Sequence, residues 1–548
     1  MNTPSFQQPT PVRREDLLQR LAQAGTWDLA VVGGGATGVG VALDAAARGL
    51  SVVLLDSHDF AGGTSSRATK LVHGGVRYLG QGNFALVREA LRERQRLMRN
   101  APHLAQPLAF VMPSYRPWET VLHGVGLTLY DALAGTAGLG PTRLLGREAA
   151  LKALPGLQPQ GLRGGVEYWD GQFDDARLAL AVARTAAAHG ALVVNYCAVT
   201  GILHAQGRVA GVQCQDSETG RRFEVKARCV VNATGVWVDR LRRLDGELIG
   251  RREEAIVAPS QGVHLVVDRN FLPGPRALVV PRTADGRVLF GVPWLGKLIL
   301  GTTDTPCEDL PREPRPSGQD IDFILGEAAR YLARRPGLQD VRSAWVGLRP
   351  LVRPPADAGA HTKALSREHT ILVSRTGLVT VTGGKWTTYR AMAEDVLSRC
   401  SAEGLIPTHS ASTTANLPLV GAESVHSPVR LSEPPGTHLY GSEATLLASL
   451  PGADATICDG LSEAMVRFAA RYEYARTVED VLARRSRLLF LDAALAGSLA
   501  PAVARILHEE TGVDPQQDAF CALAASYLPF EHATDRPSQA PRARVSAH

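Results

Sequence analysis

The chain has 548 residues, 45% of them hydrophobic, with a formal net charge of +5 and seven cysteines. That length can bury substantial cores in two or three domains, which excludes a small disulfide-stapled scaffold. The cysteines (Cys197, Cys214, Cys229, Cys307, Cys400, Cys458 and Cys521) are dispersed with no C-x-x-C pair, so neither a zinc site nor any other metal is expected.

Residues 1–26 begin polar and proline-containing and then offer a short helix over 14–24, read as an extension before the first strand. Residues 28–56 are the most informative stretch: a short apolar run, a glycine cluster, an apolar helical segment and a second apolar run ending on Asp56. Gly33, Gly35 and Gly38 have the G-x-G-x-x-G spacing of a dinucleotide-binding β-α-β unit. Gly33 allows the tight turn, Gly35 lets the backbone approach a pyrophosphate at a helix N-terminus, and Gly38 lets the helix pack on the strand. Ala36 and Thr37 open that helix, and Asp56 lies where a carboxylate accepts hydrogen bonds from a ribose.

The next segment, 61–79, is rich in glycine and hydroxyls. Its Thr64, Ser65, Ser66, Lys70, Gly74 and Gly75 can offer donors and close backbone to a flat cofactor. Residues 84–99 predict an amphipathic basic helix, with Phe84, Val87, Leu91 and Met98 beside Arg88, Arg92, Arg94, Arg96 and Arg99. A solvated surface helix docked on the core is the expected reading of that pattern. Residues 107–134 are unusually apolar for a connector and read as either a buried cap or a membrane-facing patch.

Asp174 and Asp175 start a helix that ends before Gly190, and both are read as capping residues. Strands follow over 192–198, 208–215, 222–228 and 229–233, the last ending in a tight turn at Gly235. Residues 256–374 predict an antiparallel substrate-binding domain that interrupts the nucleotide fold. Residues 375–400 return to that fold through a strand, the Gly383-Gly384 turn, Lys385 and a second helix start that could face the same cofactor. The expected organisation is thus a dinucleotide-binding domain over 27–255 and 375–400, a linker over 401–435, a separate helical domain over 436–533 and a disordered tail over 534–548.

The stretches GGGATGVG, TSSRATKLVHGGVRYL, FDDARL, VNATGVW, GTTDT, WVGLRPL and TGGKWTTYR occur in this order over roughly residues 27–395. In them the sequence resembles the FAD-dependent glycerol-3-phosphate dehydrogenases of the D-amino-acid-oxidase-like flavoprotein superfamily. HGGVRYL together with TGGKWTTYR is the specific part, whereas the glycine triplet and VNATG occur across many flavoproteins. The resemblance implies an α/β, Rossmann-like FAD-binding fold of the D-amino-acid-oxidase/glutathione-reductase type, with a β-rich substrate domain and a C-terminal helical domain. It also implies non-covalent FAD, oxidation of sn-glycerol 3-phosphate to dihydroxyacetone phosphate, and electrons passing to membrane quinone.

The family's active-site motifs place Arg77, Tyr78, Arg349, Arg367 and Lys385 around the substrate, where guanidinium groups suit a phosphate dianion. Oxidising an alcohol also requires a proton acceptor, and His264 stands where the family has an active-site histidine. A lone strand histidine is ordinarily structural, and His73 in HGG is the rival. Gln261 departs from the basic residue of the family pattern, while Thr302, Thr303 and Asp304 are expected to shape the pocket.

Competing readings are a peroxide-forming glycerol-3-phosphate oxidase, an amine or amino-acid oxidase on the same fold, and a regulatory protein that keeps FAD as structure. With no secretory signal and no apolar run of spanning length, the chain is expected to be cytoplasmic and attached peripherally to the inner face of the cytoplasmic membrane. Its mildly basic balance suits an anionic membrane surface. No nucleic-acid partner is expected, and a homodimer is left open.

Overall fold

The computed structural model describes residues 10–76, 83–353, 369–423 and 428–529. Arg77, Tyr78 and Arg367, the tail over 534–548 and the first nine residues of the extension lie outside the described residues.

An eight-stranded sheet carries the nucleotide fold. Trp27–Val32 lies at its centre, parallel to Val52–Leu55 on one side and to the end of Arg222–Asn232 on the other. Leu192–Val194 and Val379–Gly383 extend the parallel set outwards, and His369–Val373 closes one edge antiparallel. These short runs of Val, Leu and Ala are buried on both faces, which is why they show no alternation. Ala36–Ala47 packs closely because Gly38 and Gly40 bring its backbone near the strands and Tyr389. The hairpin strands Cys197–Ala205 and Arg208–Asp216 join the same sheet through Arg222–Asn232, which runs unbroken from hairpin to core. Ahead of the first strand, the helix Arg14–Gln23 docks through Leu18 and Leu21.

The second sheet has ten strands, and its boundary differs from the expected 256–374. Leu71–Val72, Ala105–Ser114, Arg143–Gly146 and Gly164–Phe173, all before residue 256, belong to it. Their partners lie far along the chain: Ala277–Val280 pairs parallel with Ala105–Ser114. Its longest pairing joins Val257–Asp268 to Val341–Val352 antiparallel.

The C-terminal helices are not a separate body as the sequence reading had them. Phe468, Leu482, Phe490 and Leu491 share one apolar core with Phe110, Trp294 and Trp345 of the second sheet. The same region sends Arg484 and Arg485 to Asp59, and Arg487 to Ser66 and Asp175, beneath the loop that follows the nucleotide motif. Three buried guanidiniums meeting buried carboxylates tie the two parts together, since removing either partner would strand a charge in the interior.

Helix Phe84–Asn100 takes the bland reading. Val87, Leu91 and Met98 are buried, and Arg94 is buried against Asp170. The next helix, Glu119–Ala134, buries only Gly124, Leu127, Tyr130 and Ala134. Its opposite face leaves Trp118, Val121, Leu122, Val125 and Leu129 open, with Val125 68% exposed.

Candidate active site

A cavity of about 930 Å³ runs between the two sheets, lined at one end by the glycine turn and at the other by His264 and Arg349. That volume is ample for a cofactor with a small substrate.

At the nucleotide end the backbone does most of the work. Gly33 has φ +108°, and a Cβ there would lie 2.6 Å from the Ala233 carbonyl oxygen. Gly35 precedes the helix as its cap and has no side chain to bond the N–H groups of the first turn, and it borders the cavity with Ala36 and Thr37. A Cβ on Gly38 would sit 1.8 Å from the Gly33 carbonyl oxygen, so this glycine does not line the cavity but permits the packing beneath it. The Asp56 carboxylate accepts from the Gly34 N–H at 2.6 Å and the His58 N–H at 2.9 Å. Burial pushes its pKa up, and these two N–H donors pull against that rise. Ser65 Oγ accepts from the Ala36 N–H at 2.9 Å, so the hydroxyl-rich loop is fastened to the helix start.

Gly33, Gly35, Ala36, Thr37, Asp56, Thr64, Ser65, Gly235, Gly383, Gly384 and Lys385 all border this one space. Five expected cofactor residues do not: Gly38, already described, and Ser66, Lys70, Gly74 and Gly75. Lys70 is fully buried and donates to both oxygens of Asp175 (2.9 and 2.8 Å) and to the Ser66 carbonyl, so it braces the loop from behind. Asp175 is consequently a buried counter-ion, while Asp174 alone caps its helix through the Arg177 N–H. Ser66 turns its hydroxyl to the Gly63 carbonyl. Gly74 makes room for Leu91 and Tyr130, and Gly75 supplies a left-handed turn at φ +79°.

The substrate end is built on one face of the long antiparallel pair. His264 lies opposite Trp345, Gly262 opposite Gly347 and Ser260 opposite Arg349. Side chains alternate along a strand, so these six positions share a face. The glycines between the large residues open the space: a Cβ on Gly262 would strike Arg349 Nη2 at 2.3 Å, and one on Gly347 would strike the Arg67 carbonyl at 2.5 Å.

His264 is buried and stacks on Trp345, with ring centroids 4.0 Å apart, and its Nε2 is 3.0 Å from Thr69 Oγ1. Burial, then the nearby Arg349 and Lys70 cations, hold its pKa well below the ordinary histidine range. The ring is therefore neutral and able to accept a proton at neutral pH. Arg349 donates to Asp304 at 3.1 Å and to Thr302 Oγ1 and the Thr303 carbonyl at 3.2 and 3.0 Å. Ser260 Oγ donates to Asp304 at 2.8 Å. Thr302, Thr303 and Asp304 thus act by holding the guanidinium. Gln261 reaches Asp320 at 3.5 Å rather than the cavity.

His73 borders the same space and is tied by backbone to Thr387 Oγ1 at 3.3 Å. Lys385 follows two left-handed glycines, Gly383 at φ +80° and Gly384 at φ +76°, and precedes the short helix Trp386–Thr388. Trp386 Nε1 donates to the Ser65 carbonyl at 2.9 Å, which joins the two glycine turns over one cavity.

The sequence reading missed Thr69, Trp345 and Arg312 as cavity or support residues. The period-two order of Trp345, Gly347 and Arg349 within WVGLRPL was the available signal for Trp345. Arg312 carries no local signal.

Residues 28–390 match the family model described as FAD dependent oxidoreductase, and residues 412–518 match the C-terminal domain of alpha-glycerophosphate oxidase. The chain is 40% identical over 545 residues to the mitochondrial glycerol-3-phosphate dehydrogenase of Macaca fascicularis, covering 92% of this chain and 73% of the relative. The Schizosaccharomyces pombe enzyme of the same name is 38% identical over 571 residues, covering 92% and 87%. Among solved structures, the glycerol-3-phosphate dehydrogenase from Bacillus halodurans complexed with FAD superposes with a TM-score of 0.73 at 29% identity, over 94% of this chain and 97% of that one. The left-handed glycine turn, the helix start and the Asp56 carboxylate fit FAD, which is the cofactor. The chain belongs to the FAD-dependent glycerol-3-phosphate dehydrogenase family.

Proposed function

We propose that the protein oxidises sn-glycerol 3-phosphate to dihydroxyacetone phosphate and delivers the electrons to a membrane quinone. The observation that carries this reading is a neutral buried histidine and a braced arginine on one strand-pair face, bordering the cavity that fits FAD. Bound FAD supplies the acceptor for the hydride that leaves the substrate carbon. His264 Nε2 takes the hydroxyl proton, directly or through the Thr69 hydroxyl bonded to it. Trp345 fixes the plane of the imidazole and keeps water from that face. Arg349 meets the substrate phosphate, and the Asp304 and Thr302 contacts keep its planar fork oriented before substrate arrives. We assign Lys385, Arg77 and Arg367 to the same anion, Tyr78 to a hydrogen bond with substrate, and the border glycines and hydroxyls to FAD.

The electron acceptor dissolves in a bilayer, and among the described residues no helix is long and apolar enough to cross one. The exposed stripe Trp118, Val121, Leu122, Val125 and Leu129 supports surface docking by shallow insertion, with the exposed Arg88 and Arg92 on the preceding helix facing anionic lipid.

The test is anaerobic bleaching of the flavin band by sn-glycerol 3-phosphate against glycerol, D-alanine and lactate, followed by turnover with a quinone analogue and with air. Bleaching by glycerol 3-phosphate alone with quinone-dependent turnover is expected. Bleaching by D-alanine would move the protein to the amino-acid oxidases. Stoichiometric peroxide in air with no quinone turnover would make it the oxidase, a reading that the C-terminal match to alpha-glycerophosphate oxidase brings forward.

A further inference from the structure

Arg312 lies in the segment between the strand Thr305–Pro306 and the helix Gly318–Tyr331, far in sequence from the nucleotide motif. Its neighbours pin that segment. The Leu310 carbonyl accepts from Trp237 Nε1 at 3.1 Å, and the Arg312 carbonyl accepts from Arg67 Nη1 at 2.9 Å. The Glu313 carboxylate bonds Arg67 and the Tyr527 hydroxyl. The backbone is therefore fixed while the side chain is directed at the cavity, which it borders together with Asp56, His58, Gly62 and Gly63.

The guanidinium lies against the Gly62 backbone, where an added Cβ would stand 3.1 Å from its Nη2. Asp56 and Glu479 act on it through space, but among the described residues neither forms an ion pair with it, and no side-chain hydrogen bond uses its five donors. Every other guanidinium around this loop is matched: Arg67 by Glu313, Arg484 and Arg485 by Asp59, and Arg487 by Asp175. A half-buried guanidinium at the cavity wall with no acceptor among the described residues has its donors free for a ligand, and burial pulls its pKa below the usual arginine range. What it lacks is a set of anionic or hydroxyl oxygens, and the ribose carboxylate Asp56 places them nearby.

We propose that Arg312 binds the ADP half of FAD, donating to its pyrophosphate and ribose oxygens across the cavity from the glycine turn. The cofactor is then held from two sides: by backbone N–H groups of the nucleotide fold and by one guanidinium from the segment that follows Thr305–Pro306. This inference rests on FAD occupying the cavity.

The test measures flavin release from the holoenzyme on dilution, by the rise in free-flavin fluorescence, with ADP as a competitor for rebinding. Arg312→Met should raise the FAD dissociation constant about ten- to a hundredfold, as expected for losing charge-assisted hydrogen bonds, and weaken ADP competition by a similar factor. Arg312→Lys, which keeps the charge and loses the fork, should fall between and guards against a misfolded methionine variant. An FAD constant equal to that of wild type in both variants would overturn the inference. So would weakened FAD binding with undiminished ADP competition, which would move Arg312 to the flavin half. Wild-type protein that neither carries nor takes up FAD would overturn the cofactor reading and this inference with it.

Discussion

The two ends of the cavity are made in opposite ways. At the nucleotide end, Gly33, Gly35, Ala36, Thr37 and Asp56 form the contact surface largely through backbone geometry, and the side chains there are mostly absent or small. At the substrate end, His264, Trp345 and Arg349 meet across two strands separated by about eighty residues, and only side chains do the work. A backbone site tolerates almost no added volume but needs no particular chemistry nearby. A side-chain site tolerates repacking but fails when one functional group is lost. Substitutions at the two ends should therefore fail differently.

The largest effect belongs to the proton acceptor. His264→Ala should keep FAD and slow anaerobic flavin reduction by roughly 10²–10⁴-fold, the range for loss of a general base. Reduction at the wild-type rate, with His73→Ala slow instead, would move the role to His73.

Next comes Arg349→Ala, which should raise KM for glycerol 3-phosphate about ten- to a hundredfold and erase discrimination against glycerol. An unaltered KM in a folded, flavin-bearing variant would leave Arg349 as a brace for Asp304 alone.

The nucleotide end should break in stability and cofactor content rather than in chemistry. The Cβ of Gly38→Ala would collide with the Gly33 carbonyl, so folding stability should fall by about 1–3 kcal/mol through overpacking, with flavin lost. A variant as stable and as yellow as wild type would mean that the helix can shift without disturbing the turn.

The smallest effect is a pH shift that sharpens the contrast. Burial, Arg349 and Lys70 depress the His264 pKa, so the acid limb of flavin reduction should lie below the ordinary histidine value of about 6.5. Arg349→Ala should move that limb upward, because it removes one of the two cations. The same depression means that the unfolded chain binds a proton more readily than the folded one. Stability carries no such cost above about pH 6.5 and loses ground as pH falls below it toward the folded value. A limb at or above about 6.5 in the wild type would show that the site does not depress its histidine.

The sequence by itself determined the dinucleotide unit, the FAD class and the family. Strand, glycines, helix, strand and acid follow one another within thirty residues, and each glycine answers a local backbone demand. It also singled out His264 and Arg349 as expected site residues, through the resemblance rather than through any local pattern. What it misassigned were buried charges: Lys70 carries a cation expected at a cofactor, yet it faces Asp175 inside the protein. It also confined the substrate sheet to residues 256–374 and set the C-terminal helices apart as a domain of their own. The substrate sheet instead recruits strands from residue 71 onwards, and the C-terminal helices close its core. Only the tertiary structure could decide these points, because a lysine or an apolar run reads the same whether it meets solvent, a ligand or a carboxylate a hundred residues away. Partner identity across long loops is fixed by which pairing buries the most surface without stranding a charge, and that depends on the whole chain at once.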